Sequence, residues 1–163
     1  MFGQQPGGFQ PSGGFQPSGG FQPSGGFQEQ GFISHGFQPT KPSDTLGTNQ
    51  SIGQGESIKA KTYSYFARLE NDGELVVYNC DHFHHKNAIW KSGSAGKGHG
   101  PYTLRMQDDG NLVIYDSHNQ ATWASDTWNK GDKGHILEMQ DDGNLVLYDG
   151  HRKPTWSTNT HRT

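Results

Sequence analysis

The sequence predicts an all-β domain with threefold internal pseudosymmetry, preceded by a disordered tail. Three observations carry this. Trp90, Trp123 and Trp156 stand 33 and 33 residues apart, and each opens a similar tripeptide, WKS, WAS and WST. Upstream of each comes an apolar run that ends in tyrosine: ENDGELVVY at Tyr78, QDDGNLVIY at Tyr115 and QDDGNLVLY at Tyr148. No stretch sustains the i, i+3, i+4, i+7 spacing of apolar residues that marks a helix.

Residues 1–43 make the tail. The unit GGFQPS occurs three times between residues 7 and 28, followed by a truncated copy. Glycine favours no single backbone conformation, and proline removes a donor. One phenylalanine per six residues buries too little to offset the entropy of ordering. The evenly spaced Phe9, Phe15, Phe21 and Phe27 are also suited to weak, multivalent contacts.

Residues 44–163 hold three copies of one unit, the first diverged and the last two close. In the second, Asp109-Gly110 lies between TLRMQ and NLVIY, a hairpin signal, because glycine tolerates the positive φ of a tight turn. Valine, isoleucine and a closing tyrosine then suit a strand. WASDTWNKGDKG is rich in turn formers. From tyrosine to tryptophan there are eight residues in the second and third copies and twelve in the first, where NCDHFHHKNAI makes a longer loop. One unit alone cannot bury its apolar face, whereas three around a common axis can.

Bulk properties exclude several functions. A net charge of -3 and a pI near 6.3 do not suggest nucleic-acid binding, which usually shows a basic patch or stripe. No apolar run reaches the length of a membrane span. Cys80 is the single cysteine, so no intrachain disulfide forms. The first residues, MFGQQPGGFQ, lack the basic and apolar regions of a signal peptide, so a cytoplasmic location is expected, with non-classical secretion as the alternative.

The chemistry is concentrated in the eleven residues MQDDGNLVIYD, which return 33 residues later as MQDDGNLVLYD. Side chains alternate across a strand, so Asn111, Val113 and Tyr115 face one way and Leu112 and Ile114 the other. Gln107 and Asp109 keep the same phase, and a compact hairpin brings all five to one patch. The matching set is Gln140, Asp142, Asn144, Val146 and Tyr148. Each set offers a carboxylate, two amides, a phenol and a small apolar surface. A polyhydroxylated ring needs this mixture. Turn formation alone accounts for the Asp-Gly. It does not account for five such residues retained together twice. No nucleophile–base pair and no metal cluster recurs, so neither catalysis nor a cofactor is expected.

The pattern Gln-x-Asp-x-Asn-x-Val-x-Tyr resembles the mannose-binding signature of the bulb-type, or monocot mannose-binding, lectins, and both copies match all five positions. SDTLGTNQSIGQGESI is similar to that family's opening strand, and ATWASDT and PTWSTNT to its Trp-bearing strand ends. The resemblance implies a β-prism II fold of three four-stranded sheets, with the three tryptophans helping to fill the centre. It implies that Asp and Asn contact the axial 2-hydroxyl of mannose, that Gln and Tyr contact neighbouring hydroxyls, and that Val packs on the ring. The first copy departs from the pattern: Glu70 and Glu74 replace the two amides beside Asp72, Val76 and Tyr78, and this site is expected to be dead or much weakened. With Cys80 alone the chain cannot form the disulfide of the plant members.

Two other segments invite a functional reading. Cys80, Asp81, His82, His84 and His85 cluster, but adjacent histidines point to opposite faces of a strand and zinc sites show wider, paired spacings, so an exposed loop is expected. GSAGKGHG lacks the phosphate-loop arrangement. The sequence thus reads as a lectin for mannose-containing glycans. The alternative is an adaptor on a comitin-like plan, linking actin or a partner protein to mannosylated vesicle glycans. A homodimer formed through the C-terminus stays open.

Overall fold

In the computed structural model, the described residues are 43–79 and 87–163. The repeats of the tail and the cluster from Cys80 to His85 lie outside them. Among the described residues, twelve strands form three four-stranded antiparallel sheets. Three short strands come first: β1 (Thr45–Gly47), β2 (Ser51–Gly53) and β3 (Ser57–Lys59). Each repeat then supplies three. The first gives β4 (Tyr65–Leu69), β5 (Leu75–Asn79) and β6 (Ala88–Lys91). The second gives β7 (Thr103–Met106), β8 (Leu112–Tyr115) and β9 (Ala121–Ala124). The third gives β10 (Ile136–Met139), β11 (Leu145–Tyr148) and β12 (Pro154–Ser157).

The opening segment corrects the sequence reading. It is not one strand but three, and each completes a different sheet. β3 edges β4, β2 edges β7, and β1 edges β10. The cause is visible in TLGTNQ-SIGQGE-SIK, where one apolar residue recurs every six positions, Leu46, Ile52 and Ile58. Sharp bends divide the triplets. The Gly47 N–H donates to Gln50 Oε1 at 2.6 Å, and the Gly53 N–H to Glu56 Oε2 at 2.8 Å. Each triplet can therefore present one apolar side chain to one sheet.

The inward faces converge on a single core. Leu69, Met106 and Met139 come from β4, β7 and β10, and Leu75, Leu112 and Leu145 from β5, β8 and β11, all essentially inaccessible. The tryptophans form an edge-to-face triangle with centroid separations of 5.6, 5.8 and 6.0 Å, marking the pseudo-threefold axis. They remain half-buried and pack against the aliphatic core rather than constituting it.

The sheets are also latched in a ring. Each hairpin closes on a glycine of positive φ: Gly73 (87°), Gly110 (89°) and Gly143 (90°). Over each lies a ring from the start of the next sheet. A Cβ would stand 2.7 Å from Tyr102 at Gly73, 2.6 Å from His135 at Gly110, and 2.8 Å from Tyr65 at Gly143. Only glycine meets both demands, the left-handed backbone and the close approach.

Candidate functional site

Each β-hairpin carries its motif across the turn. Gln107 and Asn111 flank a three-residue turn in which the Gln107 N–H donates to the Asn111 carbonyl at 3.0 Å and the Gly110 N–H to the Gln107 carbonyl at 3.1 Å. The Gln140 turn repeats this geometry. In the second repeat the side chains of Gln107, Asp109 and Tyr115 are joined by hydrogen bonds, and Asn111 is tied in through its backbone N–H. The Tyr115 hydroxyl donates to Gln107 Oε1. The Gln107 amide donates to both Asp109 oxygens, at 3.2 and 3.3 Å, and the Asn111 N–H donates to Asp109 Oδ1 at 2.9 Å. Val113 is buried, so the apolar element is recessed at the floor of the patch. Arg105, its cross-strand partner, lies 5.7 Å from the centre of the Tyr115 ring.

The third repeat assembles Gln140, Asp142, Asn144, Val146 and Tyr148 on the same frame, with one difference. Here the Gln140 amide donates to the Tyr148 hydroxyl oxygen at 2.6 Å and to Glu138 Oε1 at 3.3 Å. Glu138 stands where the second repeat has Arg105 and turns the amide towards itself. Glu138 in turn holds Arg152 at 3.2 Å, and the Arg152 guanidinium lies 4.2 Å from the Tyr148 ring centre. A cleft of about 330 Å³ beside this patch is lined by Asp44, Lys61, Glu138, Gln140, Asp141 and Asp142, among others.

Sequence reasoning missed the hydroxyl pair that fixes the asparagines. Ser125 and Thr127 bond each other at 2.7 Å, and Thr127 Oγ1 donates to the Gly110 carbonyl at 2.7 Å. The Thr127 N–H donates to Asn111 Oδ1 at 3.1 Å, and the Ser125 hydroxyl, whose proton goes to Thr127 Oγ1, stands 3.3 Å from the same oxygen. Thr158 and Thr160 treat Asn144 Oδ1 alike, at 3.1 and 3.2 Å. With each amide oxygen engaged internally, Nδ2 is the asparagine atom aimed outward as a donor. The signal was present: Trp90, Trp123 and Trp156 are each followed two and four residues later by Ser or Thr, as in WKSGS, WASDT and WSTNT.

The last acid of each eleven-residue copy plays another part. Asp116 accepts the backbone N–H groups of Gln120, His118 and His99 at 2.9, 2.9 and 3.2 Å, and Asp149 accepts those of Lys153, His151 and Asp132. These donors hold both carboxyls below the usual carboxylate range, Gln120 foremost for Asp116 and Lys153 for Asp149. Both residues brace loops and stand outside the patch.

In the first repeat the same frame is closed. Tyr78 is buried, and Phe66 stacks on it with centroids 5.2 Å apart. Its hydroxyl donates to Glu70 Oε1 at 2.8 Å, while Arg68 Nε engages Glu70 Oε2 at 2.6 Å. Burial, then the hydrogen bond and the charge of Glu70, push the Tyr78 phenol well above its ordinary pKa. Glu74 Oε1 takes the Gly93 N–H at 3.0 Å, the role of the asparagine Oδ1 elsewhere. Its second oxygen, with Lys91 at 4.0 Å, replaces a donor by an acceptor. Asp72 and Val76 hold their expected places, but neither glutamate supplies an outward N–H.

Among the described residues no group of three or more His, Cys, Asp or Glu could hold a metal ion, and no helix is long and apolar enough to cross a membrane. Residues 97–163 match the family model described as D-mannose binding lectin. A monomeric monocot mannose-binding lectin from Gastrodia elata is 38% identical over 74% of this chain and 100% of its own, with a TM-score of 0.64. The mannose-specific agglutinin of snowdrop, Galanthus nivalis, solved with methyl-α-D-mannoside, is 30% identical over 74% of this chain and 100% of its own, with a TM-score of 0.58. A mannose-specific lectin of Colocasia esculenta is 44% identical over 50 residues, 31% of this chain. The curated relatives are longer: the chain spans 17% of the Colocasia esculenta protein and 42% of a lectin of Acanthamoeba polyphaga mimivirus. The three antiparallel sheets are those of the β-prism II lectins, and the chain belongs to the family of D-mannose binding, bulb-type lectins.

Proposed function

We propose that this chain binds mannose-containing glycans at the second and third patches and not at the first. One observation carries the reading. In both patches the asparagine oxygen is bound internally, which leaves Nδ2 of Asn111 and Asn144 as the donor for a ligand, and the backbone N–H of each asparagine binds the carboxylate of Asp109 or Asp142. A hydroxyl held between a donor and a carboxylate both accepts and donates, the role that the family resemblance gives to the axial 2-hydroxyl of mannose. Gln107 with Tyr115, and Gln140 with Tyr148, serve the neighbouring hydroxyls. Val113 and Val146 support the C–H face of the ring. The recognition is binding rather than catalysis, and the relative solved with methyl-α-D-mannoside has the same fold. Single shallow patches bind weakly, and two per chain supply avidity on a branched glycan.

Calorimetry with methyl-α-D-mannoside tests this. The expected stoichiometry is two per chain. Asn111→Ala and Asn144→Ala each weaken binding measurably at one site, since a hydrogen bond from a neutral amide to a hydroxyl is worth about 0.5–1.5 kcal/mol, and the double variant binds nothing. Retained binding in the folded double variant would place the sugar elsewhere.

A further inference from the structure

Trp128 is the most exposed large hydrophobic residue described, at 60%, and Tyr63 is the other one singled out by exposure, at 42%. Every other described tryptophan packs in the axial triangle. An indole in water at the surface of an otherwise well-buried domain has the chemistry of a contact surface, apolar on its face and with one N–H donor at its edge.

Its position is specific. Thr127, the preceding residue, donates its N–H to Asn111 Oδ1. The Asn129 N–H, on the other side, donates to the Asp109 carbonyl at 2.6 Å, and the Lys130 N–H closes the turn on the Thr127 carbonyl. Trp128 thus stands at the tip of a turn pinned on both sides to the two residues that define the second patch. The corresponding positions are Ala95 in the first repeat and His161 in the third. Tyr63 stands beside the third hairpin, on a loop tied to Asp141, which precedes the motif residue Asp142. Its neighbour Thr62 donates both its N–H and its hydroxyl to Asp141 Oδ1, at 2.9 and 3.0 Å, and Tyr63 itself holds a φ of 61°, unusual for a bulky residue. The corresponding position beside the first patch is Gly100. The two exposed aromatics flank the two patches that keep all five motif residues, and the patch that lacks both amides has neither.

We propose that Trp128 is a stacking platform for a second pyranose of an oligosaccharide whose first residue occupies the Gln107–Tyr115 patch, with Tyr63 serving the third patch in the same way. The inference rests on the mannose reading above and extends it: the ligand is an α-linked mannose oligosaccharide of at least two residues. The two patches are then not equivalent. One offers an indole and the other a phenol, each on a different loop.

The test uses the full chain carrying Asn144→Ala, so that only the second patch is read, titrated with methyl-α-D-mannoside and with an α-linked trimannoside. The trimannoside binds roughly three- to tenfold more tightly, the range of one aromatic contact. Adding Trp128→Ala abolishes that preference and leaves the monosaccharide affinity unchanged, and Trp128→Phe restores most of it. Indole fluorescence shifts with the trimannoside but not with the mannoside, and the shift disappears in Trp128→Ala. Tyr63→Ala does the same for the third patch in an Asn111→Ala background. Equal affinity for the two sugars with Trp128 present overturns this inference and leaves the mannose reading standing. A fall in both affinities on Trp128→Ala also overturns it, because the residue would then merely hold the turn. Failure of the parent protein to bind either sugar removes both.

Discussion

The first sheet and the second share a backbone and differ in what that backbone can do. Both have a turn closed on a glycine of φ near 90°, a hydroxyl pair behind it and a tryptophan in the axial triangle. In the second sheet Tyr115 is half-buried and its partner is an amide. In the first, Tyr78 is covered by Phe66 and its partner is a carboxylate neutralised by Arg68. Thr103 and Ile136 occupy the positions of Phe66 in the other repeats. The frame is therefore maintained by residues behind and beneath the patch, while the outward chemistry varies without disturbing it.

That comparison can be tested first at the axis. If all three sheets depend equally on the tryptophan triangle, Trp90→Ala and Trp123→Ala lower stability by the same amount. The expected loss is about 3 kcal/mol, the lower end for truncating a large aromatic because the rings are half-buried. Unequal losses in denaturant unfolding would show that the first sheet has its own source of stability.

A smaller effect comes from reversing the charges. Glu70→Gln with Glu74→Asn restores both amides to the first patch. The amide oxygen introduced by Glu74→Asn has a donor waiting, since the Gly93 N–H already points at the Glu74 carboxylate. The mannoside stoichiometry in calorimetry rises from two to three, with the third site the weakest. A stoichiometry fixed at two would assign closure to the Phe66–Tyr78 stack, and Phe66→Thr added to the pair would then open it.

The smallest effect distinguishes the loops that follow the motif. Asp116 and Asp149 brace them in the second and third repeats, where the first has Asn79. A carboxyl whose folded pKa is depressed contributes stability that is present above the ordinary carboxylate value near ~4 and is lost as pH falls through the lowered value. Melting temperature is expected to stay flat from neutral pH towards ~5 and to fall below ~4. Asp116→Asn with Asp149→Asn should flatten that acid limb.

Much of this was legible in the sequence because it is local. The Asp-Gly turn, the alternation that separates Asn111 from Leu112, and the 33-residue spacing of the tryptophans each concern residues close together or repeated at a fixed period. The division of Thr45–Lys59 among three sheets was not legible, although its six-residue rhythm was. A period states how often a side chain recurs, while the partner of β1 lies some ninety residues away in β10. The hydroxyl pairs were overlooked because Ser and Thr after a strand read as ordinary turn formers. Their distinction lies in whom they bond, the asparagine oxygen across the hairpin. Folding places Asp109 in the patch, whereas Asp116 of the same eleven residues is committed to backbone N–H groups.

The opening segment that edges all three sheets has a consequence for the newborn chain. A ribosome releases β1, β2 and β3 before any strand they will border. Each repeat can pair its own three strands as it emerges, but β4, β7 and β10 keep one edge bare until the leading segment lies along them. The order of closure runs against the order of synthesis: β3 meets β4 early, β2 waits for β7, and β1 waits for β10 near the end of translation. During that wait the bare edges of neighbouring nascent chains are templates for each other, so crowding on a polysome, rather than the stability of the finished domain, is where yield would be lost.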